Sequence, residues 1–171
     1  MSAIRAYLEQ DHQLLTGLLA RADAGGQLDL ASFEAFRARL LRHIGIEEKV
    51  LLAAVREVLG RPIERARRIR VDHGAIASLL VPTPDVALVG EIRGLLATHD
   101  ALEEGDPHDA TGEGVYAECD RILGARADEL AERARAFPEV PAARHFDGPN
   151  VVRTAAEALR GAERMRYLDG R

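Results

Sequence analysis

The 171-residue chain reads as an all-α protein, an up-down four-helix bundle with additional C-terminal helices. Three observations predict it. Apolar residues recur at helical spacing through successive long segments. Those segments are separated by short breaks carrying Gly or Pro, and short loops between long helices make neighbours antiparallel. The apolar mass is Ala, Leu, Ile and Val, with aromatics at only 4%, and Ala and Leu favour helix. No stretch alternates as a strand does, and neither a solenoid repeat nor a low-complexity tract is present.

Helix 1 is expected from about Ser2 to Asp23, with Ser2 as N-cap. Ile4, Leu8, His12, Leu15 and Leu19 form its apolar face, and Gly25-Gly26 ends it. Helix 2 is expected from about Ala31 to Leu59, with Ser32 as a candidate cap. Its stripe is Phe33, Phe36, Leu40, His43, Glu47, Leu51, Val55 and Val58, and Gly60 stops it. Pro62 sits where the first turn of helix 3 belongs. That helix runs to about Leu80, with Ala66, Ile69, His73, Ile76 and Leu80 on one face. After Val81-Pro82-Thr83-Pro84, helix 4 spans about Asp85 to Glu104, with Val89, Ile92, Leu95, Leu96, His99 and Leu102 in line and Glu103 at the edge. Gly105-Asp106-Pro107 is a strong stop. A fifth helix is expected from about Gly114 to Phe137, then an irregular connector to Pro149. A short amphipathic helix from Asn150 to about Leu168 is expected to pack on the outside.

A formal net charge of −5 argues against an electrostatic nucleic-acid footprint. No apolar run reaches membrane-spanning length, and Met1–Asp11 lacks the apolar segment of a signal peptide. Cys119 is the single cysteine, so no internal disulfide can form. A cytoplasmic setting is expected. The oligomeric state is left open.

Four histidines lie on the apolar faces of the four long helices: His12, His43, His73 and His99. Two of them carry a glutamate four residues on, Glu47 and Glu103. Burying six such groups is costly unless their desolvation is compensated. In an up-down bundle, two residues share a level when they lie equally far from the turn joining their helices. The midpoint of His12 and His43 falls just past Gly25-Gly26. That of His43 and His73 is Val58, beside Gly60. That of His73 and His99 is Val86, just past Pro84. Each offset is about one to three residues, roughly 2–5 Å along the axis. The four imidazoles are therefore expected in one layer. Each His-x-x-x-Glu pair puts a nitrogen and a carboxylate on one helix face. Imidazole and carboxylate together suit iron, manganese or zinc, so a metal pair is the expected compensation.

Glu48 and Glu104 adjoin the candidate ligands and point about 100° away, so they are expected behind the ligands or at the surface. Glu104 remains a rival ligand, because unwinding before Gly105 would turn it inward. Asp11 and Asp72 each precede a histidine and are read as solvated or as near partners. Arg61, Arg65, Arg67, Arg68 and Arg70 are read as a solvated face balanced by Glu64 and nearby acids. Cys119 is read as a buried, inert thiol. Tyr7 and Tyr116 fit core packing and hydrogen bonding near the site equally well. His108 and His145 are read as surface residues, with His108 close enough in sequence to reach the cluster mouth.

The pattern resembles the hemerythrin-like family, the HHE cation-binding domains. The resemblance rests on His12 in EQDHQLL, His43 and Glu47 in RHIGIEEKVLL, His73 in VDHGAI, and His99 and Glu103 in THDALEEG. It covers about Ala3 to Glu104. It implies a metal-binding bundle over residues 1–104, with 105–171 a helical extension on the same domain. It implies two iron ions, carboxylate- and oxo- or hydroxo-bridged, with His12 and His43 serving one, His73 and His99 the other, and Glu47 and Glu103 bridging. Oxygen-carrying members have a further histidine one turn after the helix 3 ligand, where this chain has Ala77. They also tend to place the last carboxylate five residues after the helix 4 histidine, which here is Glu104.

The resemblance thus implies chemistry or sensing rather than reversible carriage. The expected ligand is dioxygen, peroxide or nitric oxide, with room for a catalase-like decomposition of peroxide. The alternatives are an iron-sensing or iron-buffering protein without turnover and a metal-free helical adaptor.

Overall fold

The computed structural model describes residues 1–105 and 112–168, and their regular structure is all-helical apart from an isolated bridge between Gly105 and Glu113. Helix α1 spans Ala3–Ala22, and the Ser2 hydroxyl accepts the Arg5 N–H as its cap. Gly25 and Gly26 then take positive φ to turn the chain.

Helix α2 spans Leu30–Ile46. Its cap is Asp29 rather than Ser32: the Asp29 carboxylate accepts the N–H groups of Ala31 and Ser32. The Ser32 hydroxyl donates to the same carboxylate at 2.7 Å. A charged acceptor one turn earlier satisfies the free N–H groups and interacts with the helix dipole.

The expected continuous second helix is interrupted. Glu47–Leu51 form a π turn, in which the Leu52 N–H donates to the Glu47 carbonyl five residues back. Helix α3, Leu52–Leu59, follows and ends at Gly60 with φ 70°. Val58, expected in the buried stripe, is 48% exposed in the last turn of α3, where the surrounding residues are exposed too.

Helix α4 spans Ala66–Leu79 and begins later than Pro62 suggested. Ile63 is instead buried ahead of it, and its carbonyl accepts the Ala66 N–H. Helix α5, Val86–Glu104, is capped by Asp85, whose side chain accepts the Leu88 N–H at 2.8 Å. The expected single fifth helix is two: α6, Val115–Leu123, and α7, Ala127–Arg135, joined by a 3-10 turn. Gly124 breaks them apart by adopting positive φ. Helix α8 spans Ala155–Leu168.

Helix α1 packs on α2, α5 and α7; α4 packs on α5 and α8; α6 packs on α3 and α5. The apolar core falls into two clusters. One holds Ile4, Leu8, Ile46, Val55 and Ile69 together with Cys119, Leu123 and Leu130 of α6 and α7. The other holds Leu15, Phe36, Leu40, Ile76, Leu79, Val89, Ile92 and Leu96, closed by Ala158 of α8. On three helices the histidine lies between members of the two clusters: Leu8-His12-Leu15, Leu40-His43-Ile46 and Ile69-His73-Ile76. On α5, His99 follows Leu96 and precedes Leu102, which is packed against the first cluster. A buried polar layer therefore divides the core. Where the C-terminal connector returns to this layer, the Phe137 ring occupies the space a side chain at Gly45 would need: a Cβ there would meet it at 2.8 Å.

Candidate metal centre

All six expected site residues reach this layer, each 5% exposed or less. They form two groups with donor atoms within 4.8 Å of one another: His12, His43, Glu47 and Glu103, and Glu47, His73, His99 and Glu103. Both glutamates belong to both groups. The imidazoles pair accordingly, with ring centroids 4.7 Å apart for His12 and His43 and 4.8 Å for His73 and His99.

The π turn helps to build this arrangement. Two consecutive glutamates at its start serve the layer: Glu47 points to the centre, while Glu48 reaches His73 from behind at 2.9 Å. π turns recur at functional sites, and consecutive glutamates of the regular helix α5, Glu103 and Glu104, take the same two roles. On α5 it is Glu103 that turns inward, at 1% exposure. The Glu104 side chain is 39% exposed, with a carboxylate oxygen 2.6 Å from His12 Nδ1.

Each imidazole has the same orientation. Its Nε2 faces the centre, and its Nδ1 faces a carboxylate behind it. The partners are Glu104 for His12, Asp11 for His43 at 2.9 Å, Glu48 for His73, and Asp72 for His99 at 3.6 Å. Such outer carboxylates fix the ring orientation of metal-binding histidines and raise their basicity. Asp11 and Asp72 are 2% exposed, which corrects the reading of them as solvated. Three of these carboxylates are held in turn by arginines: Asp11 by Arg39, Glu48 by Arg70 and Asp72 by Arg68. The guanidinium partners offset the cost of burying Asp11 and Asp72.

Donor spacing tests whether a cation fits. The two Nε2 atoms of His12 and His43 are 2.9 Å apart, and His73 Nε2 is 3.0 Å from Glu47 Oε2. Three further pairs measure 3.3–3.4 Å: His12–Glu103, His43–Glu47 and His99–Glu103. Donors about 2.1 Å from one ion, at angles of about 90–109°, stand about 3.0–3.4 Å from each other. The atoms are also poorly satisfied by one another. His73 Nε2, His99 Nε2 and Glu47 Oε2 are buried with no aligned hydrogen-bond partner, despite the short His73–Glu47 separation. Each such atom left unpaired costs about 1–3 kcal/mol. The donor set fits metal ions on both counts.

Protonation follows from the surrounding charge. Burial opposes a charged His12, but Glu103 and Glu104 outweigh it and raise the ring to about 11. Burial is likewise overcome at His43 by Glu47 and Asp11, to about 9, and at His73 by Glu47 and Glu48, to about 10. Glu47 is also fully buried, yet His43 and His73 hold its carboxyl well below the usual range. The layer by itself thus binds protons where it could bind cations.

Tyr116, on α6, completes the site from outside the His/Glu motif. Its hydroxyl donates to Glu47 Oε1, and lies 3.0 Å from Glu103 Oε2 and 3.2 Å from His12 Nε2. Burial and then the charges of Glu103 and Glu47 push the phenol well above its ordinary value, so it stays a proton donor. The only sequence signal for it was a tyrosine at the start of an amphipathic helix. Tyr7 instead accepts a hydrogen bond from Arg42 at 2.8 Å, on the first cluster's margin. Cys119 is buried, and burial pushes its thiol up to about 12. His145 contacts Glu34, away from the layer. His108 lies outside the described residues.

A cavity of about 150 Å³ adjoins the layer. His12, His43 and His99 line one part and Leu15, Leu40 and Leu96 another, with Asp100 and Arg93 also on its wall. Ile76 is not on this wall and packs in the second apolar cluster. Among the described residues, no helix is long and apolar enough to cross a membrane. No family model matches this chain, nor does any curated protein or solved structure.

Proposed function

We propose that this chain is a hemerythrin-like, non-haem di-iron protein that binds, senses or reacts with dioxygen, peroxide or nitric oxide. On this reading α1, the α2–α3 segment, α4 and α5 are an up-down four-helix bundle, and α6–α8 extend it. The observation that carries the reading is that Glu47 and Glu103 each belong to both donor groups. Two ions sharing two carboxylates need that arrangement; two independent sites do not. His12 and His43 would hold one ion, His73 and His99 the other, and the glutamates both. Zinc or manganese would satisfy the same donors.

Ferrous iron, when bound, supplies electrons to a small oxidant. The chain's own residues set the conditions. Leu15, Leu40 and Leu96 give the cavity beside three of the imidazoles an apolar wall, and its size suits a diatomic or peroxide. The Tyr116 hydroxyl holds a proton at the shared carboxylates. Asp11, Glu48, Asp72 and Glu104 hold the rings in place through Nδ1.

Metal analysis of the purified chain, with absorption spectra before and after peroxide, tests the proposal. The expected result is two irons per chain and a new charge-transfer band. Negligible metal, with His12→Ala and His99→Ala both tolerated, would overturn it. The division of the core by the polar layer supports a second reading, an iron sensor in which occupancy itself sets stability. A large thermal shift on iron loading without peroxide turnover favours that reading.

A further inference from the structure

The charge of the chain is unevenly spread. On the outer side of α4 and α8, three adjoining concavities that share lining residues form a groove flanked by Arg56, Arg67, Arg68, Arg70, Arg160, Arg164 and Arg166, against Glu48, Glu64 and Glu163. Its largest lobes measure about 710 and 720 Å³. In a protein with net charge −5, this face carries an excess of four positive charges, seven arginines against three glutamates.

Arginines elsewhere on the surface are largely paired, as in Arg5–Glu9, Arg65–Glu118, Arg93–Asp23 and Arg153–Asp85. Among the described residues, Arg67, Arg160, Arg164 and Arg166 form no ion pair. Arg160 and Arg164 are four residues apart on α8 and face Arg67 and Arg68 of α4 across the groove. A solvated face does not require unpaired guanidinium groups from two helices to converge on one concavity.

We propose that the α4–α8 groove is a binding site for a compact, multiply charged oxyanion of the phosphate class. Guanidinium forks bind such oxygens bidentately. Glu64 and Glu163 line the same groove and would repel a long polyanion laid along it, which favours a compact ligand over nucleic acid. The groove also connects inward. Arg70 Nε is 3.0 Å from Glu48, which holds His73; Arg68 Nε is 3.0 Å from Asp72, behind His99. An anion that draws on Arg68 and Arg70 leaves Glu48 and Asp72 more negative towards those two imidazoles, and does not touch the partners of His12 and His43. The anion site stands independently of the metal reading; only its significance for the metal centre rests on that reading.

The test is calorimetric titration of the full chain with pyrophosphate at constant ionic strength, repeated after metal has been stripped, because pyrophosphate also chelates metals. Saturable one-to-one binding is expected in both forms. The double variant Arg67→Gln/Arg164→Gln, at exposed unpaired positions, is expected to bind about tenfold more weakly or worse with unchanged circular dichroism. In the stripped chain, ring resonances of His73 and His99 are expected to shift with pyrophosphate while those of His12 and His43 stay. Undiminished binding by the double variant would overturn the proposal. So would binding lost on stripping while the helical signal persists, or a short nucleic-acid duplex that binds more tightly than pyrophosphate. Metal content is read separately, so a failed metal reading and a failed anion site give different results.

Discussion

At the scale of single residues, Tyr116 carries the sharpest consequence. It is 1% exposed, and its hydroxyl donates to Glu47 and lies within hydrogen-bond distance of Glu103 and His12. Tyr116→Phe keeps the ring's packing and removes the only phenol in the layer among the described residues. Without metal, the variant is expected to lose about 1–3 kcal/mol in a urea titration, because a buried carboxylate loses its donor. With metal, it is expected to keep two ions per chain, since the phenol is not among the grouped donors. If the phenol supplies the proton for peroxide chemistry, decay of peroxide by the loaded variant slows by about 10² or more. An unchanged rate, followed by peroxide absorbance at equal metal content, would reduce Tyr116 to a structural hydrogen bond. The residue-level geometry also accounts for Asp11 and Asp72. Each precedes a histidine in sequence, and each holds a histidine of a different helix from its own: Asp11 that of α2, Asp72 that of α5. Sequence adjacency concealed this, because the contact spans two helices.

At the scale of elements, the π turn between α2 and α3 carries both Glu47 and Glu48. A π turn accommodates one extra residue within an otherwise α-helical path. Lys49, exposed within it, can be deleted without removing a core side chain. The flanking helices should then join as regular α-helix, close to their present phase. Glu47 and Glu48 would then follow the narrower path of a regular turn, displaced from the positions at which they meet the centre and His73. The deletion variant is expected to retain its helical circular dichroism and to lose at least one of two metal equivalents. Two equivalents retained would show the turn to be incidental. Helix periodicity could not reveal this element. His43, Glu47, Leu51 and Val55 fit one α-helical stripe, and an inserted residue leaves most of such a stripe intact. The four long segments were legible because Gly60, Gly25-Gly26 and Pro82-Thr83-Pro84 punctuate them. The break at Gly124 was not, because a single glycine inside an apolar period is compatible with continuous helix. The convergence of His12, His43, His73 and His99 was legible for a different reason: equal distance from a turn fixes depth in antiparallel helices whatever the side chains between.

At the scale of the whole molecule, the divided core makes stability depend on what neutralises the layer. His43 and His73 hold protons to about 9 and about 10 in the folded chain, against 6.5 when unfolded, and His12 to about 11. A group whose folded value is raised stabilises fully below its unfolded value and loses that contribution as pH climbs through the folded one. The metal-free chain should therefore weaken steadily from about pH 6.5 towards 10 and above. Glu47, Glu48 and Asp11 are shifted the opposite way, below 4.5, 4.5 and 3.8. Their stabilisation is complete above those values and is lost as pH falls through the lowered ones, so acid weakens the fold as well. The metal-free optimum is expected between about pH 5 and 6.5. On the proposed reading, metal would reverse the alkaline arm, because it would bind the deprotonated imidazoles and need not displace protons once they have left. The difference in melting temperature between loaded and stripped protein is thus expected to widen from pH 6.5 to 9. Circular dichroism melts across pH 5–9, at fixed ionic strength and fixed free metal, measure it directly. Parallel curves for the two forms would mean that protons and metal do not compete for the same nitrogens, and the layer would then be a hydrogen-bonded spacer between two apolar clusters rather than a metal centre.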